Sequence, residues 1–189
     1  MNPLIEHLLV HFPRLSDQSI QLIHQNYTLV HKKKGELLLQ EGQVARKLFF
    51  LAKGLCRYFT NKDGQDITTW FGFENEFVTS FTSFFPKEPS YESIVALTDC
   101  DLYQIDYTTY QAMNEASIEL ERISTSFIIR HAVQLEQRIY VIQSKKAAEK
   151  YQYMLENRPH FIQHIPNKYL ASYLGITRET LSRIRSQTR

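Results

Sequence analysis

The stretch from Tyr27 to Ile105 alternates short apolar or aromatic runs with turn residues, and this pattern constrains the fold more than any other feature. Its period of two predicts strands at 27–30, 35–39, 48–51, 55–60, 66–73, 93–97 and 100–105. Turn signals separate the runs, at Gly35, Gly42, Gly54, Gly64 and Pro89. Many short strands with glycine turns are typical of an antiparallel sandwich or barrel, and we predict a jelly roll.

Helical periodicity precedes this predicted roll. Residues 3–12 place leucine and isoleucine on one face, which predicts a first helix. Ser16 is suited to cap a second helix, because its hydroxyl can accept from a free amide of the first turn. The inward side chains of that helix would be Ile20, Leu22 and Ile23.

A second helical region follows the predicted roll. Residues 107–113 predict a short helix, and Ser117 begins a long helix with acidic residues in its first turns. Ser144 is suited to cap the next helix, 145–156, and residues 160–165 are expected to link that helix to the C-terminal segment.

The long helix carries a regular apolar stripe, formed by Ile128, Ala132, Leu135, Ile139 and Ile142. Their spacing averages about 3.5 residues, which a two-stranded coiled coil requires. We call these five residues the seam and predict that they form a homodimer interface. The alternative is packing against the chain's own β-domain, a role that suits Ile123 and Phe127 on a neighbouring stripe.

The segment that starts at Pro166 predicts two short helices joined by a tight turn. Leu170, Ala171 and Leu174 lie at helical spacing, and Gly175 suits the positive φ of a sharp turn. A small residue such as Ala171 also suits the point where two helices cross. These features predict a helix-turn-helix, with a purely structural helical hairpin as the alternative.

Thr177 is suited to cap the second of these helices. It falls on the same side as Leu181 and Ile184, which predicts an inward face. The opposite arc carries Arg178, Glu179, Ser182, Arg183, Arg185 and Ser186. Arginine binds guanine bidentately and glutamate accepts from cytosine, so this outer face favours DNA recognition.

Charge is concentrated at the same end of the chain. From Asn157 onward the basic residues are Arg158, Lys168, Arg178, Arg183, Arg185 and Arg189, against Glu179 alone. This segment therefore carries a net charge of +5, and the remainder carries −3 of a total of +2. Such asymmetry is typical of a protein that binds DNA through one terminal domain.

The cysteine count and the apolar pattern exclude other classes. Cys56 and Cys100 lack C-x-x-C spacing, so we expect reduced residues on strands rather than a zinc ribbon or a disulfide scaffold. Two cysteines are too few for an iron–sulfur cluster. No apolar run approaches about 18 residues and no leader opens the chain, so we expect a cytoplasmic protein without a membrane partner.

The distribution of histidines argues against an enzyme. Jelly rolls also host metal-dependent oxygenases, which need histidine and carboxylate ligands inside the barrel. None of the seven histidines lies between Lys32 and Arg130, and His160 and His164 are better interpreted as linker residues. We therefore expect no enzyme activity, no catalytic residues, no metal and no cofactor.

These elements together predict an α+β fold. An N-terminal antiparallel β jelly roll flanked by helices would form a sensor domain over 1–115. A long dimerisation helix would span 116–143, and a small helix-turn-helix domain would span 144–189.

This order of elements resembles the CRP/FNR family of bacterial transcription regulators. The residues that carry the resemblance are Gly35-Glu36, Glu41-Gly42, the runs 48–54 and 61–64, the last predicted strand within 96–105, and Thr177-Arg-Glu-Thr-Leu-Ser-Arg183. The resemblance extends from Tyr27 to the C-terminus, and its most specific part is the terminal helix.

The resemblance implies roles for residues of the two terminal helices. Arg178, Glu179 and Arg183 occupy the family's base-reading positions, and phosphate contacts would come from Asn167, Lys168, Thr177, Thr180 and Arg185. Half-sites would look like TGTGA, arranged as a palindrome one helical turn apart. The link 157–166 is short for the β-hairpin wing of many family members.

The chain departs from the family in the cyclic-nucleotide pocket. The ribose-binding segment aligns with 79–81 and the phosphate-binding pair with 90–92, where Glu92 would repel a phosphate and Lys87 is the only nearby cation. We therefore expect no response to cyclic AMP. The candidate effector pocket comprises Thr79, Ser80, Phe81, Tyr91 and Glu92. We interpret the aromatic stretch 70–85 as core, with an apolar effector pocket as the alternative.

The partners implied are double-stranded DNA, a second copy of the chain, RNA polymerase as a candidate, and an unidentified small-molecule effector. An effector in the roll would shift the long helix and so the spacing of the two recognition helices, while constitutive DNA binding is the alternative. A rival hypothesis is a ligand-binding or protein-interaction module with a non-DNA output.

Overall fold

The computed structural model describes residues 2–187, apart from the side chains of His160 and Phe161. The described chain divides into two compact units. The first contains the chain up to Thr60 and Trp70–Ile128, and the second contains Asn61–Thr69 and the chain from Ile129 onward. The functional segments 1–115, 116–143 and 144–189 stay a prediction.

The two predicted N-terminal helices are confirmed in the first unit. They are α1 (Pro3–His11) and α2 (Asp17–Asn26). Ser16 is the N-cap of α2, and its hydroxyl oxygen accepts from the Ser19 amide at 3.3 Å. Ile23 is buried, and Ile20 and Leu22 are partly buried against the same core.

Eight strands lie within residues 2–187: β1 (Thr28–Lys32), β2 (Leu37–Leu39), β3 (Lys47–Lys53), β4 (Cys56–Lys62), β5 (Gln65–Gly72), β6 (Glu76–Val78), β7 (Ser93–Ala96) and β8 (Cys100–Asp106). They form two four-stranded sheets, in the orders β1-β8-β3-β6 and β2-β7-β4-β5. The antiparallel jelly roll predicted from the periodicity is therefore confirmed.

Non-local pairing holds the centre of the roll. Phe50 pairs with Tyr103, and Leu51 pairs with Leu102, between antiparallel β3 and β8. Phe50, Leu51 and Leu102 are fully buried, in a core that Leu4 of α1 also joins. Both sheets and the first helices share this one core. Removing apolar surface from water stabilises the folded state by about 25 cal/mol per Å².

Two elements of the roll were not predicted. Strand β6 is only three residues long, and it exists because Phe49, Phe50 and Leu51 of β3 pair with it. Helix α3 (Phe81–Phe84) is a single turn inside the aromatic stretch. Both lack local periodicity, since three or four residues are too few to show one.

The helices after the roll are α4 (Tyr107–Ala116), α5 (Ile118–Ser144) and α6 (Ala147–Asn157). The long helix after Ser117 is thus confirmed, but the capping role of Ser144 is wrong. Ser144 is the last residue of α5, and its hydroxyl donates to the Tyr140 carbonyl at 2.6 Å. At the start of α6 the Lys146 amide instead donates to the Glu149 carboxylate at 2.7 Å.

The second unit ends with three helices, α7 (Pro159–His164), α8 (Asn167–Leu174) and α9 (Arg178–Gln187). The interpretation of 160–165 as a linker is wrong, because α7 begins at Pro159, a residue favoured at the first helical position. A helix therefore occupies the stretch where a β-hairpin wing would lie. Arg189 lies outside the described residues.

Candidate nucleic-acid interface

The turn between α8 and α9 has the geometry predicted for a helix-turn-helix. Gly175 adopts a left-handed conformation, with φ 65° and ψ 39°, which glycine adopts without a steric penalty. Thr177 then caps α9, because its hydroxyl oxygen accepts from the Thr180 amide at 3.1 Å. The glycine ends α8, and the threonine starts α9 at Arg178.

Buried side chains determine which face of α9 points outward. Leu181 is 0% exposed and Ile184 is 7% exposed, so both anchor α9 as predicted. The predicted inward residues of α8 are buried too: Leu170, Ala171 and Leu174. Thr177 is exposed, contrary to the prediction of an inward position, because it precedes the helix as its cap.

The outer face of α9 brings the predicted base-reading residues together. Arg178, Glu179 and Arg183 are exposed, and with Ser182 and Ser186 they line one shallow open depression. The two serines were on the predicted outer arc but not among the predicted site residues. Helical spacing alone was the signal that could have included them.

Glu179 is held as an acceptor at the start of α9. Its own backbone amide and the Thr177 hydroxyl lower the pKa of its carboxyl group, and the charge of Arg178 acts in the same direction. Because a lowered pKa favours the ionised form, the side chain presents a carboxylate at neutral pH. A carboxylate is the group that accepts from cytosine N4.

The predicted phosphate-binding residues differ in their exposure and in their hydrogen bonds. Lys168 is exposed in the first turn of α8, and Thr180 lies beside the Thr177 cap. Arg185 is instead half-buried, and it donates to the Tyr151 hydroxyl at 3.1 Å. It also donates to the Asn167 side-chain oxygen and to the Ile162 carbonyl.

Arg185 and Asn167 therefore hold α7, α8 and α9 together within the second unit. The sequence did not predict this packing role, because it does not distinguish an arginine that faces solvent from one that donates hydrogen bonds within the fold. A phosphate contact by either residue stays a prediction.

Two further contacts support α8 from within the second unit. The Thr68 amide donates to the Ser172 hydroxyl at 2.9 Å, which attaches the segment Asn61–Thr69 to this helix. Arg138 of α5 donates to the Tyr173 carbonyl at 3.1 Å. The partners lie 104 and 35 positions apart, so no local pattern signals either contact.

The predicted seam presents apolar side chains on the surface of α5. Ile128, Leu135 and Ile139 are 38%, 40% and 56% exposed, Ala132 is exposed, and Ile142 is half-buried. Three more residues widen this apolar face beyond the seam, namely Ile129, Val133 and Tyr140. A single chain thus leaves a broad apolar helix face in water, which is unfavourable unless a partner covers it.

The predicted effector-pocket residues of the roll largely bind one another. Ser80 donates to the Glu92 carboxylate at 3.2 Å, Ser90 donates to Ser80 at 3.1 Å, and Thr79 donates to the Lys47 carbonyl at 2.9 Å. Ser80 and Glu92 are buried. Their polar groups are therefore occupied by neighbours of the same chain.

Tyr58 fills space beside this polar network. It is 5% exposed, and burial, together with nearby Glu92, raises the pKa of its phenol well above the ordinary value. Arg57 is also buried, with its guanidinium carbon 4.2 Å from the centre of the Phe59 ring. Alternation along β4 places Arg57 and Tyr58 on opposite faces of the sheet.

Phe81 and Tyr91, the other two pocket residues, face different surroundings. Tyr91 is 58% exposed, whereas Phe81 lines an apolar cavity of about 40 Å³ with Phe77 and Phe85. This volume is well below the about 150 Å³ of an apolar cavity that binds benzene. Together with the full burial of Phe84, this favours the interpretation of the aromatic stretch as core.

Among residues 2–187, no three histidine, cysteine, aspartate or glutamate side chains converge in a way that could hold a metal ion. In the same part of the chain, no helix combines the length and apolar character needed to cross a membrane.

Comparison with known proteins agrees with this architecture. Residues 29–116 match the model of the cyclic nucleotide-binding domain family. Comparison with curated proteins finds no match.

Several solved structures share the fold. FixK2 from Bradyrhizobium japonicum is 18% identical, with a TM-score of 0.72, over 85% of this chain and 83% of its own. A putative CRP/FNR-family transcriptional regulator from Eubacterium rectale is 20% identical, with a TM-score of 0.70, over 92% of this chain and 83% of its own. The c-di-GMP-responsive regulator CLP from Xanthomonas campestris is 15% identical, with a TM-score of 0.70, over 92% of this chain and 91% of its own. The chain therefore has the fold of the CRP/FNR regulators, with a cyclic nucleotide-binding-type domain at residues 29–116.

Proposed function

We propose that this protein is a sequence-specific DNA-binding transcriptional regulator. The observation that carries the proposal is the outer face of α9, where Arg178, Glu179 and Arg183 are exposed together on a capped helix. Leu181 and Ile184 anchor the opposite face, so the three polar side chains are presented in a defined orientation. The fold shared with CRP/FNR regulators supports the same function.

The chemistry of this face supports readout of base edges in the major groove. Arg178 and Arg183 would each donate two hydrogen bonds to a guanine, and the Glu179 carboxylate would accept from cytosine N4. Lys168, Thr177 and Thr180 would contact phosphates and set the register. We propose a palindrome of TGTGA-like half-sites.

We test this proposal by fluorescence anisotropy with a TGTGA palindrome and a scrambled duplex over a range of salt concentrations. Tighter binding to the palindrome and a steep fall of affinity with rising salt are expected. Equal, weak binding to both duplexes would favour the rival hypothesis of a module with a non-DNA output.

Replacing Arg183 with alanine tests the base-reading assignment. We expect a loss of about 1–3 kcal/mol for the palindrome and relaxed preference at one base pair. Lys53→Ala, at an exposed position of the roll, serves as the control and should leave the affinity unchanged. If R183A weakens binding equally on every duplex, Arg183 contacts a phosphate and not a base.

We further propose that the active form is a homodimer joined through the seam of α5. The exposed apolar face of that helix supports this assembly, because pairing two copies removes it from water. A two-fold dimer would place two recognition helices about 34 Å apart, which matches adjacent turns of a duplex.

We propose that the roll does not respond to cyclic AMP. Ser80 and Ser90 already bind Glu92 or each other, Tyr58 occupies the space beside them, and the buried Glu92 would repel a phosphate. An effector of another class would act by moving α5, and contacts with RNA polymerase would determine whether transcription rises.

A further inference from the structure

One serine hydroxyl of α8 binds two backbone groups of the segment Asn61–Thr69, which we call the tip segment. The Thr68 amide donates to the Ser172 hydroxyl at 2.9 Å, and that hydroxyl donates to the Asp66 carbonyl at 3.5 Å. Thr68 is 1% exposed and Ser172 is half-buried. The tip segment belongs to the second unit, whereas the chain immediately before and after it belongs to the first.

The two backbone groups lie on the outer edge of a sheet. β5 is the terminal strand in the order β2-β7-β4-β5, and Asp66 and Thr68 are two positions apart on it. Backbone groups two positions apart in a strand point to the same side, and here they point to Ser172 and not to a strand. Proteins commonly cover such an edge with a helix, and α8 covers this one.

The contact at Ser172 also determines the direction of Lys168. The two residues are four positions apart on α8, so they share one face of the helix and lie about 6 Å apart along its axis. Lys168 is exposed and is the predicted phosphate contact of this helix. Whatever fixes the rotation of α8 at Ser172 therefore fixes where Lys168 points.

We propose that the tip segment positions α8 for DNA binding, with Ser172 as the positioning residue that orients Lys168 toward a phosphate. This inference rests on the proposed DNA-binding function. The tip segment is continuous with β4 and β5, so it gives the roll a route to the helix-turn-helix that does not pass through α5.

Hydrogen exchange of the Thr68 amide tests the contact without DNA. Ser172→Ala removes the acceptor, and exchange of this amide should become faster. Ser172→Thr keeps the hydroxyl and should restore slow exchange. Ser144→Ala, which removes an exposed serine hydroxyl of α5, is the control and should leave the Thr68 amide unchanged. Equal exchange in S172A and the unsubstituted protein would overturn the inference.

A double-mutant cycle with Lys168→Ala tests the positioning role. S172A should bind the TGTGA palindrome about three- to tenfold more weakly than the unsubstituted protein, because Lys168 is no longer held in place. In the K168A background the same serine substitution should have almost no effect. Equal losses in both backgrounds would show that Ser172 acts on the fold as a whole and would overturn its link to Lys168.

The unsubstituted protein provides a measurement that no variant has to survive. If the contact favours DNA binding, DNA must favour the contact to the same extent, so the palindrome should slow exchange of the Thr68 amide more than a scrambled duplex does. Unchanged or faster exchange would contradict the inference while leaving the DNA function standing. Absence of binding to either duplex would overturn the DNA function, and this inference with it.

Discussion

The guanidinium of Arg138 stacks on the ring of Tyr173, with its central carbon 3.7 Å from the ring centre, and donates to the Tyr173 carbonyl at 3.1 Å. Tyr173 lies at the C-terminal end of α8, where a helix has unsatisfied carbonyls and a partial negative charge. One side chain of α5 therefore holds α8 by stacking, by a hydrogen bond and by charge.

We expect Arg138→Ala to destabilise the second unit by about 1.5–3 kcal/mol, because a hydrogen bond from a charged donor and the stacked ring are both lost. Hydrogen exchange should be faster at the amides of α8 than in the unsubstituted protein. Lys at this position should rescue only in part, because it keeps the charge but not the planar stack.

The control for Arg138 is its exposed neighbour, Gln137→Ala, which should change stability by less than about 0.5 kcal/mol. Unchanged exchange in R138A would mean that Arg138 does not support α8.

Thr177 should contribute measurably to the stability of α9. Its hydroxyl accepts from the Thr180 amide at 3.1 Å, so Thr177→Ala leaves that amide without its cap and should cost about 1 kcal/mol. Chemical denaturation followed by circular dichroism would measure the change. Serine keeps the hydroxyl, and T177S should therefore resemble the unsubstituted protein; equal losses in both variants would contradict the capping role.

Glu119 should make the first unit sensitive to acid. Its carboxylate accepts from the Ser16 hydroxyl, and from the Ser19 hydroxyl at 2.6 Å, which ties α2 to α5. These bonds lower the pKa of Glu119, so their stabilisation is complete above the ordinary glutamate pKa and is lost as the pH falls through the lowered value.

The measurement is the free energy of unfolding as a function of pH. Glu119→Gln should be less stable at neutral pH, and the difference from the unsubstituted protein should shrink as the pH falls. Glu121→Gln on the same helix, an exposed position, is the control. A difference that stays constant with pH would show that the charge of Glu119 is not responsible.

The apolar face of α5 should determine the oligomeric state. Ile139 is 56% exposed in the single chain, and Ile139→Lys would place a charge inside the proposed coiled coil. We expect at least about tenfold weaker self-association, or about 1.4 kcal/mol, by sedimentation equilibrium. Gln137→Lys adds the same charge on another face and should not weaken it; equal effects of both variants would exclude the seam as the interface.

Cyclic AMP should not bind the roll. The polar groups of Ser80, Ser90 and Glu92 are used within the chain, and Glu92 would repel the phosphate. Calorimetric titration should show no saturable heat, and the affinity for the palindrome should not change when the nucleotide is added. Micromolar binding would contradict this prediction.

Local patterns were sufficient for most elements of this fold. The period of two predicted seven of the strands, and the caps Ser16 and Thr177 marked the starts of α2 and α9, because a capping hydroxyl acts on amides two or three residues away. Local patterns did not predict strand β6, since its pairing partners lie in β3. Ser144 was misassigned because a serine hydroxyl can equally donate to a carbonyl of its own helix.

The same division holds for the candidate sites. By itself the sequence determined the outer face of α9 and the apolar stripe of α5, because helical spacing places Glu179 near Arg183, and Leu135 near Ile139, whatever surrounds them. Only the tertiary structure decided that Arg185 donates to Asn167, and that Ser80 and Glu92 bind each other. Those contacts join residues far apart in the chain, and the energy that selects them comes from packing, which a local pattern does not encode.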